Sequence, residues 1–168
     1  IVDLWISAFD EMKTTVFKFT SVEKSIVMFT DASDDGWGVV VVDLGNRPLR
    51  VFAGKWSIDE RKDDINVREL RAVRIGMRIL GKLLQDESST TGVHLRVDNT
   101  TARAWTLRSR APKFEANKIA LDIQSEASQH KLKIITVDYV QSARNLSDAA
   151  SRKFSKTTAS AQQVGEDG

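Results

Sequence analysis

The sequence of 168 residues has no cysteine, only two histidines and no long apolar run. Without cysteine, disulfide frameworks, thiolate zinc sites and cysteine nucleophiles are excluded. His94 and His130 are too few for most histidine-based zinc sites, and we interpret both as structural. A transmembrane helix needs about 20 apolar residues, so we expect no membrane partner. The lack of cysteine also fits a reducing, intracellular compartment.

Neither sign of charge dominates, because 25 basic residues oppose 23 acidic ones and the net charge is +2. This balance indicates a polyanionic partner only weakly. A hydrophobic fraction of 41% is enough for the core of one domain. We find no internal repeat and no signal-peptide pattern. Residue 1 is Ile rather than Met, so we expect a piece of a longer polypeptide.

The pattern of strand formers, helical periodicity and turn residues predicts an α/β fold. Its mixed sheet is expected to have five strands, three antiparallel and then two parallel, with helices on both faces. The predicted strands cover 25–31, 36–43, 49–56, 93–98 and 133–140. The predicted helices cover 3–19, 66–84, 100–111, 113–130 and 145–154.

Glu69 stands where the helical pattern calls for an apolar side chain. On a helical wheel it falls in the middle of the apolar face, between Ala72 on one side and Val73 and Leu80 on the other. A lone buried carboxylate is costly unless it is protonated, paired or bound to a metal. The opposite face carries a basic stripe that we interpret as solvated: Arg71, Arg74, Arg78 and Lys82.

Three further acids stand where they can converge on Glu69. Asp31 ends the first strand, Asp98 ends the fourth, and Asp148 lies in the terminal helix. If the first and fourth strands are neighbours, Asp31 and Asp98 leave the sheet side by side. Taken singly, each acid is equally explained as solvated or capping, and Asp148 as a carboxylate favoured by a helix N-terminus. Together the four acids predict a site.

A cluster of four carboxylates requires cations, because the carboxylates repel one another. Oxygen ligands select a hard metal, with Mg²⁺ the usual ion and Mn²⁺ a substitute. Two such ions about 4 Å apart can activate a water and stabilise the leaving oxygen of a phosphodiester. The acids therefore predict a nuclease-type site with two Mg²⁺ ions.

In order along the chain, four segments resemble the ribonuclease H domain of retroelement reverse transcriptases. They are Thr-Asp-Ala-Ser at 30–33, Ile-Asn-Val-Arg-Glu-Leu at 65–70, Val-Asp-Asn at 97–99, and 139–152 with its Asn-Leu-Ser-Asp-Ala-Ala-Ser-Arg. Each motif alone is unspecific, whereas the ordered set is specific. The likeness spans residues 3–154 and is similar to gypsy-like or DIRS/VIPER-like tyrosine-recombinase elements. It implies a ribonuclease H-like domain at 23–154, a lead-in or connection segment at 1–22, and a flexible tail or linker at 155–168.

The resemblance implies hydrolysis of the RNA strand of an RNA–DNA hybrid during reverse transcription. Asp31 would bridge both metals, and Asp148 would complete the water-activating site. Glu69 and Asp98 would hold the second ion. The implied setting is the cytoplasm or a retroelement particle.

Five residues are expected to contact nucleic acid. The resemblance implies that Asn66 reads the RNA 2′-hydroxyl and that Ser33 and Asn99 contact the minor groove. Arg103 and Arg108 lie beside the helix expected to face substrate and are candidates for phosphate binding.

Two departures from the family pattern bear on partners. The loop 141–144 lacks the histidine that many members carry before the last Asp, and a basic handle helix has no room between Pro112 and the last strand. We therefore expect the adjoining polymerase domain of the same polyprotein to contribute to hybrid binding, and the isolated domain to be a monomer.

Two other functions remain open from the sequence. One is a catalytically idle domain of the same fold that serves as a connection or interaction module. The other is a different nuclease of the superfamily, of integrase or transposase type. The complete acidic set argues against the first, and the Asn-x-x-Glu pattern entering the helix argues against the second.

Overall fold

The computed structural model describes residues 22–153, of which Val22 and Glu23 are described by their backbone alone. The strands in this part of the chain are β1 Val22–Ala32, β2 Gly36–Val42, β3 Pro48–Lys55, β4 Thr90–Val97 and β5 Leu132–Tyr139. The helices are α1 Ile65–Leu83, α2 Thr100–Arg108, α3 Phe114–Gln129 and α4 Asp148–Ser151, with short 3₁₀ turns at Glu60–Lys62 and Ser142–Arg144. The predicted lead-in helix and the predicted tail lie outside the described residues.

The five strands form one mixed sheet in the order β3-β2-β1-β4-β5. β1, β2 and β3 pair antiparallel, whereas β4 is parallel to β1 and β5 is parallel to β4. Thr30 pairs with Val97. Asp31 and Asp98, the residues that follow this pair, therefore leave the sheet at the same edge. The predicted sheet and the predicted neighbourhood of the first and fourth strands are both confirmed.

One face of the sheet is covered by α1 and α3. Leu70 and Val73 of α1 and Ile119 of α3 are fully buried in the same core cluster as Met28 and Leu95 of the sheet. Burying an aliphatic side chain of this size contributes roughly 1.5–3 kcal/mol. This layer fixes α1 against the sheet and so fixes the position of Glu69.

On the other face of the sheet, α4 packs closely against β2. Gly38 lacks a side chain there, and a Cβ at this position would lie 2.6 Å from both the Ser147 carbonyl oxygen and the Ser151 nitrogen. Such distances are far below ordinary van der Waals contact. Gly38 therefore allows the backbone of α4 to lie directly on the sheet, and helices cover both faces as predicted.

The basic stripe of α1 is only partly a solvated face, and that prediction is wrong for Arg71 and Arg74. Arg71 is 12% exposed and pairs with Asp63 at 2.6 Å, and Arg74 is 17% exposed and pairs with Asp122 at 3.1 Å. Arg78 is half exposed but pairs with Glu126 of α3 at 2.7 Å. The reason is that α3 packs beside α1 and presents acids to the stripe. Lys82, beyond these pairs, is exposed as predicted.

The terminal helix is shorter than predicted, because it begins at Asp148 rather than Asn145 and ends at Ser151. Asn145 has an extended backbone, and its buried side chain donates to the Thr30 carbonyl oxygen at 3.0 Å and accepts from the Ser147 nitrogen at 3.1 Å. Asn145 thus anchors the chain to β1 instead of starting a helix. Phe154 lies outside the described residues.

The helix after Asp98 also ends early, at Arg108, because Ser109 adopts a left-handed conformation with φ of 50°. Only α3 lies between Pro112 and β5, so the prediction that no extra basic helix fits there is confirmed. Within residues 22–153, no helix combines the length and the apolar character that crossing a membrane requires.

We expect Gly38→Ala to destabilise the protein by about 1–3 kcal/mol, because the new methyl group would overlap the backbone of α4. Guanidinium unfolding measured by circular dichroism would check this. Gly45→Ala is the matched control, because a Cβ there would meet only the Asp43 side chain, at 3.2 Å, in an exposed turn. Equal stability of the two variants would show that α4 does not need the close approach.

Candidate active site

Three of the four predicted acids converge at the carboxyl edge of the sheet. Asp31, Glu69 and Asp98 each place a carboxylate oxygen so that the three atoms lie within 4.8 Å of one another. Asp31 and Glu69 are buried, and Asp98 is partly exposed. Of the three acids, Asp98 is therefore the one that solvent reaches.

Each carboxylate is held by its own element. Asp31 belongs to β1 and its Oδ2 accepts a hydrogen bond from the Ser151 hydroxyl of α4. Glu69 reaches around the sheet end from α1, and its Oε1 accepts from the Ala32 backbone N–H at 3.3 Å. Asp98 directly follows β4. The acids thus arrive from both faces of the sheet and from its edge.

Burial and mutual repulsion favour the protonated form of the two buried acids. Burial raises the pKa of Glu69 to about 9, and the charges of Asp31 and Asp98 act in the same direction. Burial also raises the pKa of Asp31 to about 6, against the lowering effect of the Ser151 hydrogen bond. The nearby Asp98 and Asp148 charges raise the Asp31 pKa further. The site therefore favours bound positive charge, either protons or cations.

Arg68 anchors the turn between β1 and β2 behind the acids. Its guanidinium is buried and donates to the Ser33 carbonyl oxygen at 3.2 Å and to Asp34 Oδ1 at 2.9 Å. The Trp56 indole N–H donates to the same carbonyl oxygen at 3.0 Å. The Arg68 charge also opposes the rise in the pKa of Glu69. Arg68 thus supports the site without joining it.

Asp148 lies at the rim and is not part of the group of three. Its carboxylate is 36% exposed, and its Oδ1 accepts from Arg152 Nε at 2.9 Å. Its charge nevertheless acts on Asp31, as the raised pKa of Asp31 shows. Arg152 in turn interacts with the charges of Asp31 and Asp98. The metal-binding role of Asp148 stays a prediction.

Two of the predicted nucleic-acid contacts, Asn66 and Asn99, form a bridge beside the acids. Asn99 Nδ2 donates to Asn66 Oδ1 at 2.9 Å, and Asn99 Oδ1 caps α2 by accepting from the Ala102 nitrogen at 2.7 Å. The bridge joins the N-termini of α1 and α2 next to Glu69 and Asp98. Both side chains are partly exposed, and their contact with RNA stays a prediction.

The remaining predicted contacts differ in their accessibility. The buried Ser33 hydroxyl donates to the Ser151 carbonyl oxygen at 2.7 Å, and Arg103 Nε donates to the Val137 carbonyl oxygen at 2.8 Å. Both groups thus hold the fold together. Arg108 is exposed and lines a surface cleft of about 410 Å³ with Trp105 and Arg110. Of the five predicted contacts, Arg108 is the most available to a phosphate.

Sequence reasoning missed Ser151 and Arg152, which contact the acids, and Arg68, which supports the turn beside them. A signal existed for Ser151 and Arg152, which follow Asp148 by three and four residues and so share its helix face. No local signal marked Arg68, because its partners Ser33 and Asp34 are distant in sequence and meet it only in the folded chain.

The fold can be compared with known proteins on this basis. The sequence matches no protein-family model and no curated protein. The N-terminal ribonuclease H domain of a Mycobacterium tuberculosis protein, solved as a fusion with maltose-binding protein, has a TM-score of 0.64 and 20% identity. This likeness covers 85% of the present chain and 100% of that one. The chain has the ribonuclease H fold.

Two complexes share this ribonuclease H fold. LC11 ribonuclease H1, solved with an RNA/DNA hybrid, has a TM-score of 0.63 and 13% identity, over 80% of this chain and 98% of that one. The foamy viral protease-reverse transcriptase, also solved with an RNA/DNA hybrid, has a TM-score of 0.55 and 11% identity. That match covers 80% of this chain but only 20% of the viral chain. At these identities the likeness shows the fold alone.

The donor set of the site fits a hard divalent cation. Within the described part of the chain, the buried Glu69 Oε2 has no hydrogen-bond partner. An unpartnered buried carboxylate oxygen, beside two other carboxylates within 4.8 Å, is costly unless a cation neutralises it. Oxygen-only ligands of this kind suit Mg²⁺ or Mn²⁺.

In the presence of chelator, we expect the wild-type protein to lose stability as the pH rises, and Glu69→Gln to lose less. The folded-state pKa of Glu69 is raised from 4.5 to about 9. The folded chain therefore holds a proton that the unfolded chain releases, and stability falls between these pH values by up to about 1.4 kcal/mol per unit. Glu69→Gln lacks this contribution.

Urea unfolding between pH 6.5 and 8.5 would measure the difference, because Asp31, with a pKa of about 6, is largely ionised there. The expected result is a free energy of unfolding that falls more steeply for the wild type than for Glu69→Gln. Parallel pH dependences would show that Glu69 is not protonated in the folded protein.

Proposed function

We propose that this chain is a metal-dependent ribonuclease H that hydrolyses the RNA strand of RNA–DNA hybrids. The observation that carries the proposal is the convergence of Asp31, Glu69 and Asp98 at the carboxyl edge of a ribonuclease H-fold sheet. Two neighbours in the fold were solved with RNA/DNA hybrids, which supports this substrate.

The proposed cofactor is a pair of Mg²⁺ ions, for which Mn²⁺ can substitute. When bound, such ions supply the Lewis acidity that activates water and stabilises the leaving oxygen in phosphodiester hydrolysis. Asp31, Glu69 and Asp98 would hold them, and Asp148 would contribute from the rim. Because carboxylate oxygens of Asp31, Glu69 and Asp98 already lie within 4.8 Å of one another, these three acids would need little reorganisation to hold an ion.

Recognition of RNA is assigned to the polar groups beside the acids. Asn66 is the proposed reader of the 2′-hydroxyl, held in place by Asn99. Ser33 and Asn99 are the proposed minor-groove contacts, of which Ser33 would act mainly through the turn that its hydroxyl stabilises. Arg103 and Arg108 are the proposed phosphate contacts.

The proposed context is reverse transcription of a gypsy-like or DIRS/VIPER-like retroelement. The match to one fifth of a viral reverse transcriptase chain supports a polyprotein in which a polymerase domain adjoins this one. Residues 1–22 would form the connection, residues 23–154 the ribonuclease H domain and residues 155–168 a linker. An intracellular setting and a monomeric isolated domain belong to the same proposal.

We expect the protein to cleave the RNA strand of a labelled hybrid with Mg²⁺ or Mn²⁺ and not with chelator, and to leave duplex DNA intact. Asp98→Asn should lower the cleavage rate on the order of 10²- to 10³-fold, because it removes the negative charge of a proposed metal ligand at the reacting centre. Gel analysis of end-labelled hybrid, duplex RNA and duplex DNA would measure this.

The matched control is Asp86→Asn, which removes one negative charge from an exposed position distant in sequence from the four acids. It should cleave like the wild type. Cleavage that survived Asp98→Asn or the chelator would contradict the metal-dependent proposal. A chain that bound hybrid but cleaved nothing, even when joined to its polymerase, would instead indicate the idle module.

A further inference from the structure

Ser151 is a fully buried serine whose hydroxyl contacts the acidic cluster from the far face of the sheet. It is 0% exposed, and its hydroxyl donates to Asp31 Oδ2. Asp31 is itself 3% exposed. A hydrogen bond between a hydroxyl and a buried carboxylate is charge-assisted and roughly twice as strong as a neutral one. The contact therefore acts on the central acid of the site.

The fold is built to allow this contact. Asp31 and Gly38 are cross-strand partners on neighbouring strands. A Cβ at Gly38 would lie 2.6 Å from the Ser151 nitrogen and 2.8 Å from the Ala150 Cβ. Because Gly38, next to Asp31, has no side chain, α4 can lie close enough to the sheet for Ser151 to contact the carboxylate.

The backbone of Ser151 is held independently of its side chain. Its N–H donates to the Ser147 carbonyl oxygen at 2.9 Å, and its carbonyl oxygen accepts from the Ser33 hydroxyl at 2.7 Å. Ser33 lies in the turn that follows β1, two residues after Asp31. The serine is therefore fixed to the turn that directly follows the strand carrying the acid, which leaves its hydroxyl little freedom.

The single proton of the Ser151 hydroxyl has two acceptors within reach, Asp31 Oδ2 and the Asp148 carbonyl oxygen at 3.0 Å. That carbonyl oxygen already accepts from the Arg152 N–H at 3.2 Å. The carboxylate is the stronger acceptor and is repelled by the charges of the neighbouring Asp98 and Asp148. The proton therefore belongs on the bond to Asp31.

We propose that Ser151 is a positioning residue that holds the Asp31 carboxylate beside Glu69 and Asp98 and thereby strengthens divalent-cation binding by the cluster. The inference rests on the proposed function for the identity of the cation. Partners that orient metal ligands commonly change metal affinity by 10–100-fold when they are removed. Without the hydroxyl, repulsion would turn the Asp31 side chain away from its neighbours.

Mn²⁺ binding to the full 168-residue chain, measured by calorimetry without nucleic acid, tests the proposal. Ser151→Ala should raise the Mn²⁺ Kd about 10-fold or more. Ser151→Cys replaces the hydroxyl by a somewhat larger thiol that is only a weak donor, so it should also raise Kd and would decide the matter if Ser151→Ala did not fold. In hybrid cleavage at fixed Mn²⁺, kcat should fall while KM for hybrid stays unchanged.

The matched control is Ser147→Ala. Ser147 is equally buried in the same segment, but its hydroxyl donates to Asn145 Oδ1 at 2.6 Å and not to an acid. It should lose stability, measured by urea unfolding in chelator, while its Mn²⁺ Kd stays within about twofold of the wild type. That result would separate positioning of the acid from support of the fold.

A Kd unchanged in the Ser151 variants, or raised equally in Ser147→Ala, would overturn the proposal, as would a wild type that binds no Mn²⁺. Mn²⁺ binding that depends on Ser151 in a chain that cleaves no hybrid would uphold the positioning role and would instead contradict the proposed function.

Discussion

The rest of the structure depends on one constraint, the confinement of like charges in a small and mostly buried space. Asp31 and Glu69 are 3% and 4% exposed, and Asp98 lies beside them. Each unit by which the folded protein raises the pKa of an acid corresponds to a cost of about 1.4 kcal/mol for its ionised form. A buried aliphatic side chain contributes roughly 1.5–3 kcal/mol. Several core residues of α1 are therefore needed to hold one ionised acid at the sheet edge, which is why the acid sits in the middle of the apolar face.

The two helices that carry site residues differ in how far they are stable without the rest of the fold. α1 has 19 residues and a large buried face, so it can hold Glu69 firmly. α4 has only four residues, and a helix of this length has no stability of its own. Its position comes from docking on Gly38 and from the Asn145 bond to β1. The half of the site that contains Asp148 and Ser151 thus depends on tertiary contacts alone.

The sequence predicted the order of the elements and the convergence of four acids, three of which the structure brings together, because strand ends and helical periodicity are local properties. It did not predict the pairing of the α1 arginines, because that depends on which helix packs beside α1. A signal was present in the matching spacing of Arg74 and Arg78 with Asp122 and Glu126. The spacing from Asp148 marked Ser151 as a neighbour of the site, but its contact with Asp31 could not be predicted, since it requires the close approach at Gly38, which only the assembled sheet creates.

The pairing of α1 with α3 also limits where a polyanion can bind. Arg71 and Arg74 are mostly buried in ion pairs and are not available to phosphates. Arg108 remains exposed, at the end of a nine-residue helix that begins beside Asp98. Such a helix spans about 13 Å, or about four steps of 3.4 Å along a nucleic acid strand. With the acids at the scissile bond, Arg108 would therefore meet a phosphate several nucleotides away.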